Sequence, residues 1–379
     1  TYSFLADMLS EGCKKYPRKK DLITRFEELY KIVIYASTMR VGNVIDLHVS
    51  LDFINPEYIE DEGYIEDVIK TLFEVILNPN VCNDEFDLKT FNIVKERLRR
   101  EINSLKENPV KQSIKEAIKT MDSNSPTSYE ILGTIEELEN ITPAKLYNAY
   151  KSLRKNFKVD VFLIGNLDMD NVASLIKKYF KNRYIVSDNF EVMVDNKETK
   201  NVKVKAMKSD NIQTNLVMLF NLKNLSELEK NITLNCFNYL YGSGGLTSKL
   251  YKSIREENSL CYAINSMYLK YDKLLMVQIS LDNCNVKKAI SLVKKELKSM
   301  QNGNFSEEEV KDAINNMVIS LDMSLDNNIA ILNNYVFNIY DKLPSIEERK
   351  EYFKKLTKED IVNVSKKVKL NTIFTLEGR

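Results

Sequence analysis

Apolar residues along this chain recur at helical spacing in some stretches and alternate with polar ones in others. Residues 3–9 read as the end of a short apolar helix, and 21–30 as a second helix carried by Leu22, Ile23, Phe26 and Leu29. Residues 32–36 and 44–53 read as strands. In the second of these, Ile45, Leu47, Val49, Leu51 and Phe53 share one face, and His48 falls on the opposite, polar face as a surface or edge histidine. A polar, acidic loop at 55–63 leads to an amphipathic helix over 64–77, stopped by Asn78-Pro79. A long charged helix over 85–106 is broken at Asn108-Pro109, and 110–121 continues helically. Thr142 and Pro143 have the chemistry of an N-cap and first helical position. Residues 159–164 are expected to form a buried strand ending at Gly165.

The same phrases recur later. Thr142-Pro-Ala-Lys-Leu opens a helix that leads to 159–165, and Thr357-Lys-Glu-Asp-Ile opens one that leads to 372–378. The two starts are 215 residues apart and the two closing glycines 213 apart. The helix opened at Asn83 is matched by one opened at Phe305, where Ser306 and Glu309 form a capping box. Several matches in one order at nearly one offset predict two related α+β halves, each a mainly antiparallel sheet covered by helices on one side. The expected domains are residues 1–186 and 206–379, with 187–205 as the polar linker between them.

Composition narrows the chemistry. The chain has 379 residues, 44% of them hydrophobic and 29% charged, which suits folded domains rather than disorder. Fifty-five basic and 54 acidic side chains nearly cancel, so nothing global draws it to nucleic acid or an anionic membrane. No apolar run approaches the roughly 20 residues needed to span a bilayer. The five cysteines (Cys13, Cys82, Cys236, Cys261, Cys284) are odd in number and widely spaced. They suit free, mostly buried thiols in a reducing, cytoplasmic setting. There is one histidine, so one copy of the chain cannot build a zinc site with two.

The stretch richest in chemistry runs from Tyr241 to Ser266. A glycine-rich turn (Gly242, Gly244, Gly245) precedes a helix whose apolar stripe is Leu246, Leu250 and Ile254. Arg255 falls near the end of that helix, and Tyr262 lies in the strand that follows. The glycines allow close approach of a ligand backbone. The arginine offers a planar charged fork and the tyrosine a phenolic donor. The residues alone suit better an arginine held by the helix dipole and a half-buried strand tyrosine.

The wording of this stretch, Gly-x-Gly-Gly-Leu-x-Ser-x-Leu-Tyr, then Ile-Arg-Glu, then Leu-Cys-Tyr-Ala, resembles the second-half signature of the insulinase/pitrilysin family. These are the inverzincins, whose zinc motif is H-x-x-E-H. The first half is similar to the family as well, through Phe4-Leu5, Met8-Leu9, Gly12, Lys14-Lys-Tyr-Pro17, Asn78-Pro79, Arg100-Glu101-Ile102 and Glu107-Asn108-Pro109. Strands of the first sheet would be expected before Ser3. The resemblance implies that Arg255 and Tyr262, with Gly244 and Gly245, contact a substrate peptide. It also lays the zinc motif on residues 3–7: Ser3 and Asp7 stand at the histidine positions, Ala6 at the catalytic glutamate, and Glu101 at the distal ligand. Ser3 and Asp7 cannot replace two imidazoles and Ala6 cannot move a proton, so neither a metal nor a catalytic residue is expected here. Asp7 and Glu101 could at most hold a hard cation weakly, and are expected instead as a solvated pair or in a structural salt bridge.

The resemblance therefore implies an inactive subunit that supplies peptide contacts to a zinc-bearing paralogue in a proteolytic heterodimer, with zinc only in that partner. Its substrate would be a peptide or small protein. Within the family it most resembles bacterial inactive members named alongside elongation factor P modification by 5-aminopentanol. The alternative is a non-enzymatic peptide-binding or scaffold protein, including a homodimer. An active peptidase with its zinc motif before Thr1 is disfavoured, because the landmarks after Ser3 leave no slot for a second zinc helix.

Overall fold

In the computed structural model, residues 1–180, 191–197 and 199–379 are described. The chain is α+β and divides into two compact units, Thr1–Ser104 with Tyr129–Glu191, and Leu105–Ser128 with Val192–Arg379. The predicted linker, 187–205, falls partly outside the described residues. Its described part, from Val192 on, belongs to the second unit.

The first unit opens with α1 (Tyr2–Leu9) and α2 (Lys19–Glu28), followed by a hairpin of β1 (Val33–Val41) and β2 (Val44–Asp52) turning at Gly42. Then come α3 (Tyr64–Leu77), the two-residue strands β3 (Val81–Cys82) and β4 (Glu85–Phe86), and α4 (Leu88–Glu107). The start of the long predicted helix is thus taken by β4, and Asp87 accepts from the Thr90 N–H at 2.8 Å where α4 begins. On α4, Phe91, Val94, Leu98 and Ile102 form one buried stripe, as helical spacing requires. They pack on Phe4, Leu5, Met8 and Leu9 of α1, with the Phe4 and Phe91 rings stacked 4.7 Å apart. This contact fixes α1 against α4. Leu146 and Tyr150 of α7 (Pro143–Asn156) complete the cluster, and Thr142 caps α7 as its chemistry predicts. The short α6 (Ile135–Glu139) precedes α7, and α8 (Met169–Lys177) packs on α3.

After the Asn108 break, α5 (Pro109–Asp122) leaves the first unit and joins the second. There it lies on a five-stranded sheet in the order β5 (Lys203–Lys208), β9 (Val368–Glu377), β6 (Thr214–Leu222), β8 (Leu274–Leu281), β7 (Cys261–Leu269). Only the β5–β9 pair is parallel. Every residue of β6 is buried. Leu216, Met218 and Phe220 face a cluster built with α9 (Leu234–Asn238), α10 (Val286–Gln301), α11 (Glu307–Leu325) and α14 (Lys358–Ser365). Val217 and Leu219 face Ala117 and Met121 of α5. Both faces of this sheet are therefore covered, not one as expected. The remaining helices are α12 (Asn328–Asp341) and α13 (Ile346–Lys354).

The repeat is visible in the order of elements. The hairpin β1–β2, α3, α4, α5 and α7 are echoed by β7–β8, α10, α11, α12 and α14, the helices at a lag of 215 to 222 residues. It fails at its last strand. Residues 159–164 pair with no described strand, and Val159 and Val161 are 44% and 53% exposed, whereas 372–376 lie buried in β9. The reason is the neighbour. β9 is flanked by β6, and among the described residues no strand of the first unit takes that place.

Candidate functional site

The first candidate place is the side of α1 that meets α4. Ser3 is buried; its hydroxyl donates to the Ile131 carbonyl at 2.6 Å and lies 2.8 Å from the Thr38 hydroxyl. Ala6 is buried and offers only a methyl group. Asp7 is half-buried, with Oδ2 3.5 Å from a guanidinium nitrogen of Arg97 on α4. The same guanidinium donates to Glu11 Oε1 at 2.7 Å. Burial pushes the Asp7 carboxyl above its usual range; Arg97 opposes that shift, and Glu101 adds to it. Glu101 is exposed on α4, four residues after Arg97 and hence on the same side of the helix. His48 pairs instead with Asp46. Its Nε2 lies 3.5 Å from Asp46 Oδ2, on the same face of β2.

These residues do not fit a zinc ion. The Ser3 hydroxyl is committed to a backbone carbonyl, and the Asp7 carboxylate already faces a guanidinium. Among the described residues no group of three His, Cys, Asp or Glu side chains is placed to hold a metal. Asp7 does sit in a structural ion pair, with Arg97, which it shares with Glu11. Sequence reading missed Arg97 and Glu11. The available signal was the spacing of Arg97 and Glu101, which puts a cation one turn from the distal ligand position.

The second place lies in the second unit. A π-helical turn, Tyr239–Ser243, contains Gly242, so the glycines begin inside a helical turn rather than before one. Gly244 leaves no room for a side chain, since a Cβ there would come within 2.6 Å of the Tyr239 carbonyl. Gly245 has φ +60° and open space around it. Leu246 is 64% exposed, in a short turn spanning Gly245–Thr247, so the predicted three-residue stripe reduces to Leu250 and Ile254, both buried.

Arg255 ends a second π-helical turn, Tyr251–Glu256, and Tyr262 sits at the start of β7, which is an edge strand. The structure brings the two together. An Arg255 N–H donates to the Tyr262 carbonyl at 2.5 Å, and the guanidinium lies 5.3 Å from the centre of the Tyr251 ring. The Tyr262 hydroxyl donates to Asp282 Oδ1 at 3.0 Å, and that bond to a carboxylate holds the phenol above its usual pKa. Arg255 and Tyr262 are both exposed. The arrangement is an open glycine turn, an apolar side chain at Leu246, a guanidinium and a phenol, all on the same surface segment. Asp282 is the partner that sequence reading missed. Of the five thiols only Cys13 and Cys236 are buried, fewer than expected; Cys82 and Cys284 are exposed and Cys261 is intermediate.

Residues 140–317 match the family model described as the peptidase M16 inactive domain. A curated Bacillus subtilis protein, "Probable inactive metalloprotease YmfF", is 25% identical over 383 residues, covering 99% of this chain and 88% of that protein. A conserved protein of Enterococcus faecalis V583 superposes with TM-score 0.93 at 22% identity, over 100% of this chain and 89% of that one. The peptidase M16 inactive domain structure from Pseudomonas fluorescens gives TM-score 0.76 at 15% identity, over 99% and 88%. Over nearly its whole length the chain is similar to an inactive relative of the M16, or insulinase/pitrilysin, peptidases, and the sequence holds no H-x-x-E-H motif. Among the described residues no helix is long and apolar enough to cross a membrane.

Proposed function

We propose that this chain is a catalytically silent subunit that presents peptide contacts to a zinc-bearing paralogue. The observation that carries the proposal is the exposed Arg255–Tyr262 pair, which follows the helical segment that the open turn at Gly245 precedes, with Gly244 tightly packed in that turn. A guanidinium can pair with a peptide carboxylate or carbonyl, and a phenol can donate to a carbonyl or a developing oxyanion. Neither group can activate water by itself. The zinc and the general base must come from the partner, with this chain orienting the peptide. Placement beside the inactive members linked to elongation factor P modification by 5-aminopentanol is part of the same proposal.

A second reading is favoured by one feature. Arg255 and Tyr262 are already satisfied within the chain, by the Tyr262 carbonyl and by Asp282. That suits a self-sufficient peptide-binding or scaffold protein, with a homodimer as its simplest assembly. Isolation of the native complex from the producing cell separates the two. A stoichiometric partner bearing H-x-x-E-H supports the first, and a chain found alone or with its own copy supports the second.

A further inference from the structure

The side of α1 that lost its metal ligands carries a cation of its own. Arg97 projects from α4 one turn before Glu101. Its guanidinium spans Glu11, at 2.7 Å, and Asp7, at 3.5 Å. The Glu11 side chain is only 11% exposed and that of Asp7 29%. Carboxylates this sheltered are costly unless a positive charge faces them. Lys19 stands 3.8 Å from Glu11, but it is nearly half exposed. The charged groups acting on Asp7 are Arg97, Glu101 and Glu11, and Lys19 stands by Glu11.

We propose that Arg97 is the resident cation of this site. It ties α1 to α4 by charge, as a bound metal would, and it keeps a divalent ion out by occupying Asp7 and by repelling a second positive charge. The inference rests on the family register that places residues 3–7 at the zinc motif, and it needs no partner subunit. With Arg97 in place, Ser3→His, Ala6→Glu and Asp7→His would set two imidazoles beside an arginine, so restoring the motif alone is expected to hold zinc weakly.

Two measurements on the full chain test it. In the first, melting temperatures are compared for the native chain, Arg97→Met, Asp7→Asn/Glu11→Gln, and the three changes combined. Removing the cation alone should lower the melting temperature by several degrees. Neutralising both carboxylates should recover at least half of that loss, because the penalty is uncompensated charge. Arg97→Lys, which keeps the charge but not the fork, should fall between native and Arg97→Met, and it supplies the comparison if Arg97→Met does not fold. Strictly additive losses would overturn the proposal. In the second, S3H/A6E/D7H is dialysed against zinc with and without R97M. The variant lacking Arg97 should hold zinc at least about tenfold more tightly, the scale of one nearby like charge. Equal retention by both, or by neither, would overturn the exclusion of metal by Arg97.

Discussion

Replacing Arg255 with alanine separates a residue that holds peptide from one that holds the fold. In the chain itself the side chain makes one charge-assisted hydrogen bond, to the Tyr262 carbonyl at 2.5 Å, and stacks on an exposed part of Tyr251. Both contacts are at the surface, where water replaces them readily. The loss in stability should be about 1 kcal/mol or less, which in a chain of this size moves the melting temperature by no more than about 2–4 °C. The effect on a substrate is larger, because a peptide carboxylate or carbonyl loses its charged partner and its orientation together. That should cost about 1–3 kcal/mol of transition-state binding, roughly ten- to a hundredfold in kcat/KM of the reconstituted pair. Differential scanning fluorimetry and peptide hydrolysis on one preparation measure both. Arg255→Lys should recover little, since an ammonium cannot reproduce the planar fork. A melting temperature lowered by much more than about 4 °C with unchanged kcat/KM would refute the reasoning and make Arg255 a strut between the π-helical turn and β7.

Three further outcomes follow from the geometry. Leu219 is fully buried between β6 and α5, so Leu219→Ala should cost about 2–5 kcal/mol, read as a lower denaturation midpoint. Gly245→Ala meets no atom within 4 Å but must hold φ near +60°, so it should cost about 1–2 kcal/mol through backbone strain alone, by the same measurement. Asp87 accepts from the Thr90 N–H and hydroxyl, which hold its carboxyl below the usual range. A depressed folded pKa means the stabilisation is present above the unfolded pKa and fades as pH falls through the folded one. Asp87→Ala should therefore cost about 1 kcal/mol at neutral pH and almost nothing in acid below that folded value; a constant difference across pH would contradict the assignment.

Local chemistry made much of the chain legible. The helix Tyr64–Leu77 and the start of α7 at Thr142-Pro143 follow from periodicity and capping, both of which act within a few residues. The hairpin β1–β2 follows from alternation. What failed depends on distant neighbours. Residues 159–164 have the apolar run of a strand, but a strand exists only beside another, and none described lies there. Leu246 fits a helical stripe in the sequence, yet the positive φ at Gly245 ends the helical turn and turns Leu246 outward. α5 continues the first half in sequence but covers Val217 and Leu219 of the second, a destination that spacing does not encode. At the degenerate zinc positions the losses at Ser3, Ala6 and Asp7 were plain from residue type. Arg97 was hidden because its role appears only when α1 and α4 pack.

The proposal that this chain, similar to inactive M16 proteins, carries no metal and lends its peptide contacts to a zinc-bearing paralogue has a direct test. Native mass spectrometry of the complex purified from its own cell, followed by metal analysis of each separated subunit, tests it most directly. The account predicts one copy of this chain bound to one paralogue bearing H-x-x-E-H, with one zinc in the paralogue and none in this chain. One tightly held zinc on this chain, accompanied by chelator-sensitive peptide hydrolysis from it alone, would contradict the account.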